Sequence, residues 1–245
     1  MTHCYVIPMY NEAGNLELLF ERLSTNTLVD DNFFLFVDDH SSDNSVEMIH
    51  SLFKGYDYHI IEKETNKGPG DSFDQGFEYL LNKYSKEESV RVITMEADNT
   101  SDINILKDMV GISNLNYDLV LASIYAQGGG FLQTSFFRKF LSFGANMVFR
   151  AVFNVKILTL SSFYRVYDIT LLRRIKNNNA KIIEEGGFIC MLEILLKAID
   201  QDATCIEVPM VLDSQIREGK SKMKIWENSI GYLKFLLSYK ASKQH

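Results

Sequence analysis

Glu96 and Asp98 flank a single alanine at the end of a short β-branched run, Val90-Arg91-Val92-Ile93-Thr94-Met95, and a polar stretch, Asn99-Thr100-Ser101-Asp102, follows. The run reads as a buried strand. Open α/β sheets bind ligands at the carboxyl ends of their strands. Residues i and i+2 of an extended chain point the same way, so these two carboxylates can share one divalent cation. A loop that caps a helix is the ordinary alternative, because Asp and Asn favour such positions.

Other chemistry-bearing residues fall at similar places. Pro8-Met9-Tyr10-Asn11-Glu12 follows a first strand, Cys4 to Pro8, and the proline is expected to end the sheet ladder there. Tyr10 offers an aromatic face for a base, and Glu12 an acceptor for ring N–H groups or ribose hydroxyls. A plain helix start with Asn11 as N-cap competes with that reading. Val37-Asp38-Asp39-His40-Ser41-Ser42-Asp43 ends a second strand, where carboxylates suit sugar hydroxyls. Ser42 or Asp43 is expected to cap the next helix. A phosphatase with an aspartyl nucleophile would need its acids after the first strand and a helper lysine, so that reading is the weaker one. Asn66-Lys67-Gly68-Pro69-Gly70 lacks the third glycine of a dinucleotide fingerprint, with Phe73 in its place. Its glycines read as turn or packing residues, with Lys67 near a diphosphate. Arg217-Glu218-Gly219-Lys220-Ser221-Lys222 reads as a flexible phosphate clamp or as a solvated basic loop.

These segments need a scaffold, and the first half of the chain supplies a regular one. Strand patterns at Phe33–Val37, Tyr58–Ile61 and Asp118–Ala122 join the two already named. Helix patterns at Asn11–Leu23, Ser45–Phe53, Ser72–Tyr84 and Asp102–Ile112 alternate with them. Such alternation predicts a mostly parallel sheet flanked by helices. The second half is less regular, with helices expected near Ser135–Phe153, Gly187–Ile199 and Met223–Tyr239 and a strand at Thr204–Val211. One domain with two abutting lobes, 1–118 and 119–245, is expected.

The composition is that of a soluble globule, 46% hydrophobic and 23% charged over 245 residues. A net charge of −7 argues against a nucleic-acid partner. Cys4, Cys190 and Cys205 are far apart and unpaired in spacing, which fits a reducing compartment. The N-terminus runs straight into a strand, so no signal peptide is expected, and no window is apolar enough to span a bilayer. Charge is uneven. No acid lies between Asp118 and Asp168, a stretch that holds Arg138, Lys139, Arg150, Lys156 and Arg165 and eight of the 17 Phe. Cations among aromatics suit phosphate and a membrane interface. A buried helix with solvated cations suits them equally, since Phe136, Phe140, Phe143 and Ala145 also form a core-facing stripe.

Taken in order, the segments from Val6 to Glu12, Val37 to Asp43, Asn66 to Gly70, Glu96 to Asp98, Glu207-Val208-Pro209 and Arg217 to Lys222 resemble the family 2 glycosyltransferases. The likeness is to the branch that transfers hexoses to dolichyl or polyprenyl phosphate, and it covers nearly the whole chain. It implies a GT-A nucleotide-diphospho-sugar transferase fold, a nucleotide-diphospho-sugar donor, a divalent cation (Mg or Mn) and a lipid phosphate acceptor. It also implies a cytoplasmic protein, peripheral at the cytoplasmic face of the membrane or held by a membrane-anchored partner, in cell envelope polysaccharide biosynthesis. By position, Pro8, Tyr10, Glu12, Asp38, Asp39, Lys67 and Glu96 would line the nucleotide-sugar pocket. Glu96, Asp98 and Thr100 would surround the metal. Arg138 and Ser142 would lie in the acceptor loop, and Arg217 and Lys222 would close over phosphates. Asp98, Arg138 and Lys222 would carry the catalysis.

Five positions depart from the family pattern. Glu96 and Thr100 replace the usual Asp and Gln or Ser. Ile124 replaces the arginine of a Ser-Arg-Tyr. Thr159 and Phe163 replace the Asp and Gly of Asp-x-Thr-Ser-Gly-Phe-Arg. The implied reaction is an inverting displacement in which an anionic acceptor needs no strong base. A saccharide acceptor would need one, and Glu193 is the candidate. A weakened homologue that only binds nucleotide is the remaining alternative.

Overall fold

The computed structural model describes residues 1–26, 31–132, 136–219 and 235, with residues 136–142 and 145 described through their backbone only. Five strands arise from the apolar runs of the first half: β1 (Thr2–Met9), β2 (Asn32–Asp38), β3 (Asp57–Glu62), β4 (Val90–Thr94) and β5 (Leu119–Ser123). Between them lie α1 (Ala13–Asn26), α2 (Ser45–Leu52), α3 (Pro69–Lys83) and, after a 3-10 turn at Ile103–Ile105, α4 (Leu106–Ser113). The second half adds β6 (Gly130–Leu132), α5 (Phe136–Phe153), β7 (Arg165–Asp168), α6 (Ile169–Asn178), α7 (Cys190–Ile199), β8 (Cys205–Pro209) and β9 (Val211–Asp213).

The main sheet runs β3-β2-β1-β4-β7-β5-β8, and β6 pairs with β9 in a small second sheet. All main-sheet pairings are parallel except those of β7, which is antiparallel to both β4 and β5. Alternate residues of each strand enter opposite cores, as the pleat requires. Val6, Leu35, Val92 and Leu121 pack with Phe73, Phe77 and Leu80 of α3 and Leu172 of α6. Ile7, Phe36, Ile93 and Val120 pack with Leu16 and Leu19 of α1, Ile49 of α2 and Met109 of α4.

Three expectations need correcting. Pro8 does not end the ladder, since β1 continues beside β2 through Met9↔Asp38. Its missing N–H points to the other side, where pairing with β4 stops at Val6↔Thr94. The strand expected at Thr204–Val211 is two strands that serve different sheets. β7 and α6 were not anticipated. β7 is only four residues long and opens on a charged residue, Arg165, so it carries no strand pattern. The helix expected at Met223–Tyr239 lies outside the described residues, apart from Phe235.

Candidate active site

The carboxyl ends of β1, β2 and β4 meet along one edge, and the acids anticipated there converge. Beyond β4 the chain turns at Asn99, which takes a φ of 65°. That turn brings the Thr100 hydroxyl back onto the acids. Thr100 Oγ1 donates to Asp98 Oδ1 at 2.6 Å and lies 3.4 Å from Glu96 Oε2. Ser101 Oγ lies 3.4 Å from the same Glu96 oxygen. The other Asp98 oxygen, Oδ2, is 3.0 Å from Arg217 Nη1. Burial, and then the charge of Asp98, push the Glu96 carboxyl up to about 8. Two crowded carboxylates and a hydroxyl form an oxygen-only donor set, which suits a hard divalent cation. Among the described residues no group of three or more His, Cys, Asp or Glu could hold an ion alone. The set therefore fits a cation that takes its remaining ligands from substrate phosphates and water, as magnesium does.

The loops after β1 and β2 are stitched together. Asn11, with a φ of 51°, donates its backbone N–H to Ser41 Oγ, and its Oδ1 accepts from the Ser42 N–H. It is therefore a loop clamp, not an N-cap. Asp43 serves both neighbouring helices, accepting from the Ala13 N–H at 3.1 Å and the Ser45 N–H at 3.1 Å. Asp38 accepts from the Ser41 N–H through Oδ2, while its Oδ1 is buried with no hydrogen-bond partner among the described residues. Asp39 is differently placed from the direct ligand role expected of it. Its oxygens accept from Lys63 Nζ at 2.6 Å, the Lys67 N–H at 2.8 Å and the Gly68 N–H at 2.7 Å. Lys63 also pairs with Asp71 at 2.7 Å. Asp39 thus holds the Lys67–Gly68 loop. A Cβ at Gly70 would stand 1.8 Å from the Glu185 carbonyl oxygen, so packing explains that glycine.

The second half of the chain contrasts with this. Glu193 accepts from the backbone N–H groups of Glu184 and Glu185 at 2.9–3.1 Å and pairs with Lys197 at 2.7 Å. A carboxylate so engaged is a strut, and its assignment as a general base is not supported. Glu207 likewise accepts from the N–H groups of Leu158 and Thr159. Thr159 turns its hydroxyl to Ser123 Oγ at 2.6 Å. Arg165 is fully buried and donates to the carbonyls of Ser162 and Leu160, so it is no phosphate ligand. The side chains of Arg138 and Ser142, and the whole of Lys222, lie outside the described residues. Sequence reasoning missed Lys63 and Asn15. Lys63 follows directly on β3, and Asn15 stands three residues after Glu12, but neither spacing is distinctive.

Comparison with known proteins shows the family of the chain. The family model for glycosyl transferase family 2 matches residues 4–177. The chain belongs to glycosyl transferase family 2. A dolichol-phosphate mannosyltransferase of Pyrococcus furiosus is 30% identical over 224 residues, 89% of this chain and 58% of that enzyme. The chain thus spans less than two thirds of that relative's length. A polyprenol monophosphomannose synthase of Mycolicibacterium smegmatis is 25% identical over 235 residues, 90% of this chain and 85% of that enzyme. In fold, the chain matches glucosyl-3-phosphoglycerate synthase of Mycobacterium tuberculosis, solved with Mn2+, uridine diphosphate and glucosyl-3-phosphoglycerate. The TM-score is 0.63 at 14% identity, over 94% of this chain and 75% of that one. The GT-A architecture expected for a family 2 member is borne out, with its mostly parallel sheet flanked by helices.

Proposed function

We propose that this family 2 protein is an inverting hexosyltransferase that moves a sugar from a nucleotide-diphospho-sugar to a polyprenyl or dolichyl phosphate. The observation that carries the acceptor class is the engagement of Glu193. A saccharide hydroxyl needs a carboxylate base, and the one at the expected place is held by three N–H···O contacts and an ammonium. A phosphate acceptor is already anionic and needs none. The relatives named above, whose names carry dolichol phosphate and polyprenol, agree with that choice.

In this reading Pro8, Tyr10, Glu12 and Lys67 line the nucleotide pocket. Asp38 Oδ1, buried with no partner among the described residues, provides an acceptor for the nucleoside, and Asp39 acts through the loop it holds. Glu96, Asp98 and Thr100 would hold a magnesium or manganese ion, which would neutralise charge on the leaving diphosphate. Arg217 and Lys222 hold the donor phosphates, and Arg138 and Ser142 receive the acceptor phosphate. An acceptor phosphate oxygen attacks the anomeric carbon, the bond to the diphosphate oxygen breaks, and configuration inverts. The protein's main task is to keep two anionic phosphates in line against their repulsion.

No helix among the described residues is long and apolar enough to cross a membrane. We place the protein as a peripheral enzyme at the cytoplasmic face, with lobe 1–118 binding donor and lobe 119–245 receiving lipid. Phe143, Met147 and Val148 of α5 are 52–55% exposed, an apolar face suited to that role. The test is transfer of labelled mannose or glucose from GDP- or UDP-sugars to undecaprenyl and dolichyl phosphate. A lipid-linked product with inverted configuration is expected. Transfer to free saccharides alone would overturn the reading.

A further inference from the structure

Asn15 is 4% exposed and joins three loops of the site. Its Nδ2 donates to Glu12 Oε2 at 2.6 Å and to the Glu218 carbonyl at 3.2 Å. Its Oδ1 accepts from the Glu218 N–H at 2.7 Å, and its backbone carbonyl accepts from Asn99 Nδ2 at 2.9 Å. Both Nδ2 partners are pure acceptors and the Oδ1 partner is a pure donor, so the amide has one workable orientation. The side chain reads both backbone groups of Glu218, as a neighbouring strand would. The preceding residue is Arg217, which reaches Asp98. The segment after β9 is thereby strapped across α1 and onto the acids beyond β4.

We infer that Asn15 is the positioning residue that latches this strap, coupling Glu12 on the nucleoside side to Arg217 on the diphosphate side. The two protons of one amide nitrogen serve one acceptor on each side. A shift of Glu12 toward a bound nucleoside moves the amide, and the amide carries Glu218 and the adjacent Arg217 with it. The latch works at the donor site described above, and its catalytic meaning rests on that reading. Its geometry does not. Both tests use the full chain.

The first test is amide exchange over residues 214–219 in wild type, Asn15→Ala and Asn15→Leu. The second is calorimetric titration of UDP and of GDP with Mn2+ into those proteins, Arg217→Ala and the double variants. Thermal midpoints report folding, and Asn15→Leu, of similar shape but without donor or acceptor, serves if Asn15→Ala does not fold. The Glu218 amide is expected to exchange about tenfold faster once the latch is removed, and binding of whichever diphosphate is accepted to weaken about tenfold. In an Arg217→Ala background the substitution at 15 should add nothing, since both act through one strap. Unchanged Glu218 protection in folded variants would overturn the latch, and so would losses at 15 and 217 that add in full. If neither diphosphate binds the wild type, the transferase reading falls, while Glu218 exchange still decides the latch.

Discussion

Beyond β4 two carboxylates crowd together, whereas Asp39 at the tip of β2 is engaged by Lys63 and the loop it holds. Glu96 and Asp98 meet over one hydroxyl, and Asp38 at the tip of β2 keeps a buried oxygen with no partner among the described residues. At α7 and β8 the carboxylates are engaged: Glu193 and Glu207 each receive backbone N–H groups of a neighbouring loop. The first arrangement leaves charge for a cation to neutralise. The second uses charge to fix loops and leaves neither Glu193 nor Glu207 free to act as a base. The proposed reaction between two anions needs that division, because a donor side must concentrate a cation and an acceptor side must not add negative charge.

The contrast breaks most directly at Asp98. Asp98→Ala should lower transfer by about a thousandfold, about 4 kcal/mol of transition-state stabilisation, and abolish Mn2+-dependent binding of nucleoside diphosphate while the thermal midpoint holds. Retained metal-dependent binding would remove Asp98 from the site. Glu193→Gln tests the other half. As a strut it should lose about 1–3 kcal/mol of stability, read by urea unfolding, with rate per folded molecule little changed. A rate loss of about 10²–10⁴-fold with an altered pH profile would instead make it the base. Phe143→Ser with Met147→Ser should reduce partition onto anionic vesicles by about tenfold, since each loses apolar burial at the interface. Partition equal to wild type in a flotation assay would return that face to a role within the protein. The smallest effect is expected from Glu96→Asp. Shortening the side chain should raise the rate by several-fold, because misplacement of about 1 Å carries up to a hundredfold cost. A slower enzyme would mean that the site is built around the longer acid.

The first half was legible because its chemistry sits where periodicity changes. The runs ending at Pro8, Val37 and Met95 announce buried strands, and the acids and turn residues follow at once. The second half hid its structure for physical reasons. β7 is too short to show a period, and its Arg165 looks like a surface cation, although three hydrogen bonds let it be buried without a carboxylate. Glu193 looked like a base because a sequence does not reveal that the N–H groups of 184 and 185 fold onto it. Asp39 looked like a ligand for the same reason. Residue type was readable, but the partner that uses it up was not. Asn15 escaped because a single Asn early in a helix has no signature.

β7 returns antiparallel beside β5, with Leu121 opposite Arg165, so the chain leaves and re-enters the sheet at neighbouring positions. Everything from Ile124 to Tyr164, with β6 and α5 inside it, is therefore an excursion with adjacent ends. Closing such a loop costs little more as it lengthens. Evolution could replace the excursion as a cassette, exchanging one acceptor for another while the donor machinery stayed in place. Grafting this span between two family 2 scaffolds should move acceptor preference with the graft and leave donor preference behind.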